Sequence, residues 1–405
     1  MAKPLSTALR DLLIYILPGW IARKLVGTYD FAFIAHPLTL EDLTRHYPNL
    51  YAKNKGFLKF ISSNFWPVIG SEITGFRDKQ GRAIRGIILF CPMTTRLLVL
   101  RRKKAIKKLI GIVKIAEKLR VKIVGLGAFV PIVTRDGQLL AKNTHLNMTT
   151  GASFSAVIAV TNALKLASLC DLDCRKSTVA VIGAGGSVGS ICARMLVEYF
   201  PNIILIDKKR ESLDSLLSGS YMEGMAGKTI FSSEKIASVK YANVIIVATN
   251  TPGVIVRSEH LMPGALVVDA AMPRNVSAKI PLLRKDVIVV ESGIADIRGL
   301  NTNFDFDLKS YSEIYSCLAE VLILLWSGID GKQVGKHDMP YVNNLRETAS
   351  KIGFEIPPFR NQSGLVTECD LQRVKEIIMR NSSNVSLLSE RDVNLESHQI
   401  NKLPV

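Results

Sequence analysis

Zinc-binding cysteine pairs, a secretory cleavage pattern and bilayer-length apolar runs near the N-terminus are all missing from this sequence of 405 residues. None of its six cysteines forms a CxxC pair, and Cys170 and Cys174 have no histidine nearby, so no metal site is expected. The lack of a secretory pattern and of paired cysteines predicts a reducing, cytoplasmic location.

Acidic residues are scarce in the first part of the chain. Residues 1–176 contain 28 Lys+Arg against 10 Asp+Glu, or +18, whereas the rest contains 24 against 25, or −1. This imbalance predicts an acidic partner for the N-terminal part. The run 101–120 has no interleaved aromatics, so nucleic acid is not expected. Its lysines start a predicted helix, where the dipole disfavours cations, which favours docking of an acidic carrier protein over a membrane or a solvated face.

Basic residues flank the apolar stretch 12–22, which reads LLIYILPGWIA. Eleven residues with a Pro-Gly break are too few to span a bilayer. The segment is either an extra helix docked on the protein or an interfacial anchor. In the second case, residues 10–24 would place Trp20 and the basic flanks at lipid headgroups, peripheral to the inner face of the membrane.

Strands that alternate with helices predict an α/β fold. Apolar strands at 31–35 and 121–127 enclose the helix 101–120, and five further strands between 178 and 290 predict a Rossmann-like, doubly wound parallel sheet. The predicted regions are an amphipathic extension (1–30), an N-terminal α/β substrate domain (31–170), a dinucleotide-binding domain (171–295), a C-terminal helical segment (296–379) and a flexible tail (380–405).

A glycine-rich turn joins the strand 178–182 to an amphipathic helix. Glycine lets the backbone approach a pyrophosphate, which is then stabilised by the helix N-terminus. We therefore predict that a dinucleotide binds here; the alternative is a Rossmann-like domain without a cofactor. The predicted contacts are Gly183, Gly185, Gly186, Ser187, Val188 and Gly189.

The end of the second Rossmann strand bears on the choice of nicotinamide. Asp207 is placed to bond a ribose 2′-hydroxyl, which favours NADH, whereas Lys208 and its basic neighbours could hold a 2′-phosphate, which favours NADPH. We predict NADPH, with NADH as the alternative. Thr249, in the loop ATNTPG, is expected near the nicotinamide half.

One cysteine lies within the apolar segment YSEIYSCLAEVLILLW (311–326). An S-x-x-E pattern from Ser310 predicts a helix from Tyr311, with Cys317 two turns in, where the dipole has little effect. The helix periodicity places Cys317 on a polar stripe that faces a cleft, with Glu320 as a base or as a charge that raises the thiol pKa. The alternative is a buried core cysteine.

Several motifs carry a resemblance to a known family, and they are FAFIAHPLTLEDL, GLGAF (125–129), TTGASFSA (149–156), TVAVIGAGGSVGS, VVDAAMPRNV (267–276) and SCLAEVLILLWSG (316–328). With these motifs, the chain resembles the long-chain acyl-[acyl-carrier-protein] reductases best known from cyanobacteria, which make fatty aldehydes. The resemblance covers roughly residues 31–355.

The resemblance implies a role for Cys317. In that family, a cysteine followed by a small residue, a glutamate and a leucine-rich run is the nucleophile that takes the acyl group as a thioester. It also implies acyl-carrier protein or acyl-coenzyme A as the acyl donor. The expected oxyanion donors are Thr150 and Ser153 of the TTGAS turn. His36 is another polar group at a strand end, although a structural role suits it better.

Two other functions compete with this interpretation. A dehydrogenase of the amino-acid or shikimate type would use the same nucleotide fold without needing Cys317. A non-catalytic, redox-sensing or membrane-docked Rossmann scaffold would need neither a nucleophile nor turnover. A thiol reagent that abolishes turnover but spares cofactor binding would favour the acyl-thioester reductase.

Overall fold

The computed structural model describes residues 5–46, 53–218, 228–251, 253–304, 306–335, 338–382 and 396–399. The chain divides into two compact units. The first contains Met1–Phe154 and Ala295–Glu355, and the second contains Ser155–Ile294 and Ile356–Val405. The region predicted as one helical segment over 296–379 is thus shared between the units, because the chain returns to the first unit before it ends in the second.

Helices and strands alternate through the N-terminal part, as the sequence predicts. In chain order they are α1 (Leu5–Ile16), α2 (Gly19–Val26), β1 (Phe31–Ala35), α3 (Leu40–His46), α4 (Lys55–Asn64), β2 (Val68–Arg77), β3 (Ala83–Phe90), α5 (Thr95–Leu100), α6 (Arg102–Lys118), β4 (Ile123–Leu126), α7 (Val130–Val133), α8 (Gln138–Ala141), β5 (Asn147–Thr149) and α9 (Ala152–Leu169).

The central part repeats a strand–helix pattern with β6 (Thr178–Ile182), α10 (Ser187–Leu196), β7 (Asn202–Ile206), α11 (Arg210–Leu217), β8 (Thr229–Ser233), β9 (Val244–Val247), β10 (Leu266–Asp269), α12 (Ile280–Leu283) and β11 (Ile288–Glu291). The C-terminal part contains β12 (Ile294–Asp296), β13 (Asn301–Thr302), β14 (Glu313–Tyr315), α13 (Ser316–Ser327), β15 (Lys332–Gln333), α14 (Met339–Ile352), β16 (Arg360–Asn361), β17 (Gly364–Leu365), α15 (Glu368–Ser382) and β18 (Glu396–Gln399).

The sheet of the first unit is mixed. Within the described residues, its strand order is β13-β2-β3-β1-β4-β5-β15. The strands from β3 to β15 are parallel, whereas β2 is antiparallel to β3 and β13 is antiparallel to β2. All of β1 is buried between β3 and β4, as its continuous apolar sequence predicts. The β2–β3 hairpin is absent from the sequence prediction because polar residues interrupt β2.

The predicted doubly wound parallel sheet is confirmed in the second unit. Its order in the described part of the chain is β11-β10-β9-β6-β7-β8-β18, and the strands from β11 to β8 are parallel. The direction of winding reverses between β6 and β9, and ligands of such sheets bind at the carboxyl ends of the strands beside this reversal. The glycine turn follows β6 directly, so the topology places it at that position.

The predicted tail, 380–405, is only partly described. α15 continues to Ser382, and Glu396–Gln399 forms β18, antiparallel to β8. The prediction of a tail without structure is therefore wrong for this short stretch, because an exposed edge strand offers unpaired backbone groups to any nearby segment.

One helix of the described ranges, α9, has the length and apolar composition of a membrane span. Buried residues make up 67% of it, as is usual for a core helix. The boundary between the two units falls in its first turn, between Phe154 and Ser155.

Candidate functional site

Cys317 lies at the start of α13, and the predicted position two turns into a helix is wrong. Residues Glu313–Tyr315, expected within the first two turns of the helix, instead form the strand β14. The S-x-x-E pattern caps no helix, because Glu313 Oε2 accepts a hydrogen bond from the N–H of Lys309 (3.1 Å). Cys317 is thus the second residue of its helix, where the unpaired N–H groups favour negative charge.

The polar stripe predicted on this helix does not face a cleft. Glu313, Ser316 and Glu320 are 5%, 3% and 0% exposed, and Cys317 is partly accessible. The prediction fails because Glu313 is not helical and because Glu320 is held by partners inside the first unit.

Backbone amides from two separate segments lie near the Cys317 sulfur. The N–H groups of Leu318 and of Cys317 itself, in α13, and of Ala128, in the turn after β4, each lower the pKa of the thiol. Ala128 has a left-handed backbone (φ 47°), which is uncommon for residues other than glycine. Paired amides of this kind can stabilise a thiolate, or the oxyanion of a carbonyl group that is bonded to the sulfur.

The environment of the sulfur keeps it protonated. Although Cys317 is partly accessible, loss of solvent around Sγ raises the pKa of its thiol to about 12. The amide hydrogen bonds oppose this rise, and the charge of Glu320 adds to it. Cys317 is therefore a thiol at neutral pH, and its proton must leave when it reacts.

This raised pKa predicts the pH dependence of Cys317 alkylation. Below the pKa, the thiolate fraction grows tenfold per pH unit, so the iodoacetamide rate should rise roughly tenfold per unit from about pH 7 to about pH 10 without levelling. Peptide mass spectrometry of quenched samples gives the rate at Cys317, with the exposed Cys369 as an internal reference. A plateau near pH 7 would show that the thiol pKa is low.

Gly151 packs directly against the backbone of the candidate nucleophile. It has φ 73°, and a Cβ placed on it would lie 2.2 Å from Cys317 Cα and 2.3 Å from Cys317 Cβ. No other residue type fits this contact, because such distances are far below van der Waals separation. The TTGAS turn and the start of α13 are therefore in close contact.

A buried carboxylate joins the same turn to α13 and α14. Glu320 Oε1 accepts hydrogen bonds from Thr149 Oγ1 (2.6 Å) and Tyr341 Oη (2.9 Å), and Oε2 accepts one from the N–H of Phe154 (2.7 Å). A fully buried carboxylate with three donors is stabilised as an acceptor. Of the two predicted roles for Glu320, a charge that raises the thiol pKa suits this geometry better than a free base.

The two predicted oxyanion donors lie in this turn but differ in their hydrogen bonding. Thr150 is buried, and its Oγ1 accepts a long hydrogen bond from the N–H of Ala152 (3.4 Å). Ser153 is completely buried, and its hydroxyl has no hydrogen-bond partner among the described residues. An unpartnered buried hydroxyl is costly, so Ser153 is the more available donor of the two.

His36 holds the turn that presents Ala128. Its Nε2 accepts a hydrogen bond from the N–H of Phe129 (3.0 Å), and its Nδ1 lies 2.9 Å from the carbonyl oxygen of Pro37. Burial lowers the pKa of His36 to about 4, so the ring is neutral at physiological pH. These contacts give His36 the structural role that the sequence favoured.

The glycine turn of the second unit contains three glycines that its packing requires, and a Cβ on one of them, Gly185, would lie 2.4 Å from Ser212 Cβ. A Cβ on Gly183 (φ 82°) would lie 2.6 Å from the carbonyl oxygen of Ala248, and one on Gly189 would lie 2.1 Å from that of Gly183. Gly186 differs, since the nearest atom to its added Cβ is 3.2 Å away. It precedes the ten-residue helix α10. An accessible glycine before a helix N-terminus fits a pyrophosphate.

Apart from Thr249, the remaining predicted cofactor residues lie in this turn or directly after β7. Gly185, Ser187 and Val188 are half-buried in it, and Asp207 Oδ2 accepts a hydrogen bond from the N–H of Gly185 (3.1 Å). Lys208 is exposed. The carboxylate expected to bond a ribose is thus already bound to the turn.

The loop after β9 is fixed by an asparagine that the sequence prediction omitted. Asn275 Oδ1 accepts a hydrogen bond from Thr249 Oγ1 (2.7 Å), and its Nδ2 donates to the carbonyls of Thr251 and Gly253 (both 2.8 Å). Thr249 is therefore oriented by Asn275, which accepts its hydroxyl proton.

The chain is similar to a dehydrogenase family model and to curated enzymes. Residues 165–300 match the model described as shikimate / quinate 5-dehydrogenase. The chain is 23% identical over 361 residues to aminotransferase PigE of a Serratia species, covering 85% of this chain and 41% of PigE. The chain thus spans about two fifths of the length of that relative.

Another relative is a reductase of similar size. The chain is 26% identical over 320 residues to a long-chain acyl-[acyl-carrier-protein] reductase of Synechococcus elongatus, covering 74% of this chain and 89% of that protein. L-tryptophan dehydrogenase from Nostoc punctiforme, a solved structure, is 15% identical over 89% of this chain and 90% of its own, with a TM-score of 0.34. The family model and the distant homology support an NAD(P)-dependent oxidoreductase.

Sequence reasoning missed Ala128, Thr149, Tyr341 and Asn275. Tyr341 lies in a different helix from its partner Glu320, and no local pattern marks it. Ala128, Thr149 and Asn275 stand inside the quoted motifs GLGAF, TTGASFSA and VVDAAMPRNV, which are the signal that could have identified them.

Proposed function

We propose that this protein reduces a fatty acyl thioester to a fatty aldehyde through an acyl-Cys317 intermediate, with hydride from NADPH. The observation that carries the proposal is the position of Cys317, a partly accessible thiol at a helix start whose sulfur lies near backbone amides from two segments. The reductase from Synechococcus elongatus, which aligns over 89% of its length, supports the substrate class.

In the first half-reaction, the Cys317 sulfur attacks the thioester carbonyl. The thiol proton passes to the departing carrier thiolate, so one thioester is exchanged for another at little cost. The N–H groups of Ala128 and Leu318 stabilise the negative charge on the carbonyl oxygen, and Ser153 supplies a further buried hydroxyl. Glu320 positions the TTGAS turn against α13 through Thr149 and the N–H of Phe154.

In the second half-reaction, acyl-Cys317 is reduced. A bound nicotinamide supplies the hydride for the thioester carbonyl. The same amides stabilise the oxyanion until the carbon–sulfur bond breaks, which releases the aldehyde and a Cys317 thiolate that takes up a proton. The residues for the cofactor are the glycine turn 183–189, Asp207, Lys208 and Thr249.

The proposed hydride donor is NADPH, and the proposed source of the acyl group is an acyl carrier. Asp207 is engaged by the N–H of Gly185, and the exposed Lys208 beside it suits a 2′-phosphate, so NADPH is favoured over NADH. Acyl-carrier protein or acyl-coenzyme A delivers the acyl group, since both present it as a thioester.

Intact mass spectrometry tests this function. The protein is incubated with acyl-carrier protein, or with acyl-coenzyme A, in the absence of nicotinamide. We expect a mass increase of one acyl group, located on the peptide that contains Cys317 and lost on addition of NADPH with release of aldehyde. Matched incubations with Cys369→Ser control for an exposed thiol. The proposal would be contradicted if Cys317 stayed unmodified in a preparation that releases aldehyde once NADPH is added.

The match to the shikimate / quinate 5-dehydrogenase model over residues 165–300 favours a second candidate, a dehydrogenase acting on a small hydroxy acid. Such an enzyme would oxidise its substrate with NADP and remain active after Cys317 is alkylated. The thiol reagent therefore separates the two candidates.

A further inference from the structure

The first two helices are docked on α6 by one side. Ile14 and Ala22 are completely buried, and Tyr15 packs over Gly111, where an added Cβ would lie 3.0 Å from the tyrosine oxygen. Lys118 Nζ donates a hydrogen bond to the carbonyl of Tyr15 (2.8 Å). The α1–α2 hairpin is thus part of the first unit, as one of the two sequence interpretations predicts.

The hairpin also exposes large apolar side chains. Leu9, Ile16 and Trp20 are 58%, 62% and 58% exposed, and Leu25, on a different face of α2 from Trp20, is 45% exposed. Asp11, the one carboxylate between residues 9 and 29, is buried and paired with Arg10 (2.8 Å). Large apolar side chains exposed together without a nearby free carboxylate mark an interaction surface.

A lysine row on α6 continues this surface. Lys103, Lys107 and Lys114 lie within about a quarter turn of the helix from Gly111, the residue that Tyr15 covers. All three are exposed, and within the described part of the chain Lys103 and Lys107 form no ion pair, whereas Lys114 pairs with Glu117. The positive charge of this row therefore lies beside the hairpin.

Other basic residues of the same run have a structural role. Lys108 Nζ donates to the carbonyl of Ser63 (3.1 Å), Lys104 Nζ donates to Asn64 Oδ1 (2.7 Å), and Arg101 donates to Ser63 Oγ (2.8 Å). These contacts lie at the C-terminus of α4, where cations are favoured. These three basic residues therefore stabilise the fold through contacts with α4, although the dipole at the start of α6 disfavours cations.

From these observations, we infer that the exposed side of the α1–α2 hairpin and the row Lys103–Lys107–Lys114 form a docking surface for an anionic lipid bilayer. Leu9, Ile16 and Trp20 would enter the boundary between headgroups and acyl chains, and the lysines would contact anionic headgroups. An acidic carrier protein would satisfy the lysines but not the exposed apolar row. The inference is independent of the proposed reaction.

Vesicle sedimentation of the full chain tests this surface. Vesicles of phosphatidylcholine alone are compared with vesicles of equal parts phosphatidylcholine and phosphatidylglycerol. We expect binding to the anionic vesicles that weakens with salt, and little binding to the neutral ones. Ile16→Ser with Trp20→Ser should weaken it at least about tenfold. Lys103→Glu with Lys107→Glu should weaken it at least about tenfold, since each surface cation contributes about fivefold.

Matched variants distinguish binding through this surface from nonspecific adsorption to vesicles. Leu282→Ser with Leu283→Ser removes two exposed leucines of α12 (62% and 71% exposed), and Lys142→Glu with Lys235→Glu makes the same charge change elsewhere. Both should bind vesicles as the native chain does. Trp20 fluorescence should also be quenched by brominated lipid, with the quenching lost in Trp20→Phe.

Three results would overturn the inference. The first is equal vesicle binding by the hairpin variant and the native chain. The second is a hairpin variant that changes the oligomeric mass but not vesicle binding, which would assign the surface to a second copy. The third is a lysine variant that raises the KM for acyl-carrier protein while vesicle binding persists, which would assign the row to the carrier.

Discussion

Cys317→Ser is expected to abolish aldehyde formation, by roughly 10³-fold or more, while leaving NADPH affinity unchanged. A serine hydroxyl fits where the thiol lies, so the contact with Gly151 and the amides of Ala128 and Leu318 is preserved. The hydroxyl is a far weaker nucleophile and a poorer leaving group than the thiol, so both half-reactions are lost together. Fluorescence titration measures the affinity for NADPH, and aldehyde release measures turnover.

The matched control is Cys369→Ser, which removes an exposed thiol of α15 and should behave as the native chain. Cys317→Ala separates nucleophile loss from packing, because it should also be inactive yet folded. Near-normal turnover by Cys317→Ser would eliminate the acyl-cysteine mechanism.

Gly186→Val is expected to lower NADPH affinity about a hundredfold or more without unfolding the protein. Gly186 has φ −80°, which valine adopts without strain, and its added Cβ lies 3.2 Å from the carbonyl oxygen of Gly183. A branched side chain at this position would occupy the space that a pyrophosphate needs at the N-terminus of α10. Calorimetric titration gives the affinity, and thermal unfolding reports the fold.

Gly189→Ala provides the contrast. Its Cβ would lie 2.1 Å from the carbonyl oxygen of Gly183, so the turn itself must shift and the Tm should fall. A Gly186→Val protein that keeps the native Tm and the native affinity would show that the pyrophosphate does not lie against this turn.

Buried strands of both sheets follow from local sequence. The strands β1 and β6 coincide with their predicted ranges, because each is a short, continuous apolar run that is buried on both sides. The glycine turn was recognisable for a similar reason, since Gly189 is demanded by its close contact with the backbone of Gly183 within a short segment.

The geometry of the candidate active site depends on residues that are far apart in the sequence. Glu320 meets Thr149 across 171 residues of sequence, and Tyr341 from another helix. The start of α13 was misjudged because Glu313 pairs with the backbone of Lys309 and lies in β14, which places Cys317 among the first amides of its helix.

The sequence by itself therefore determined the α/β class, the position of the glycine turn and the choice of Cys317 as the residue to test. These depend on composition, periodicity and motif, all of which are local. The tertiary structure alone decided that the Ala128 backbone lowers the pKa of the Cys317 thiol, that Glu320 is held by three donors, and which lysines of α6 are already bound. Each of those outcomes depends on which separate segments meet when the core is buried, and no short stretch of sequence contains that information.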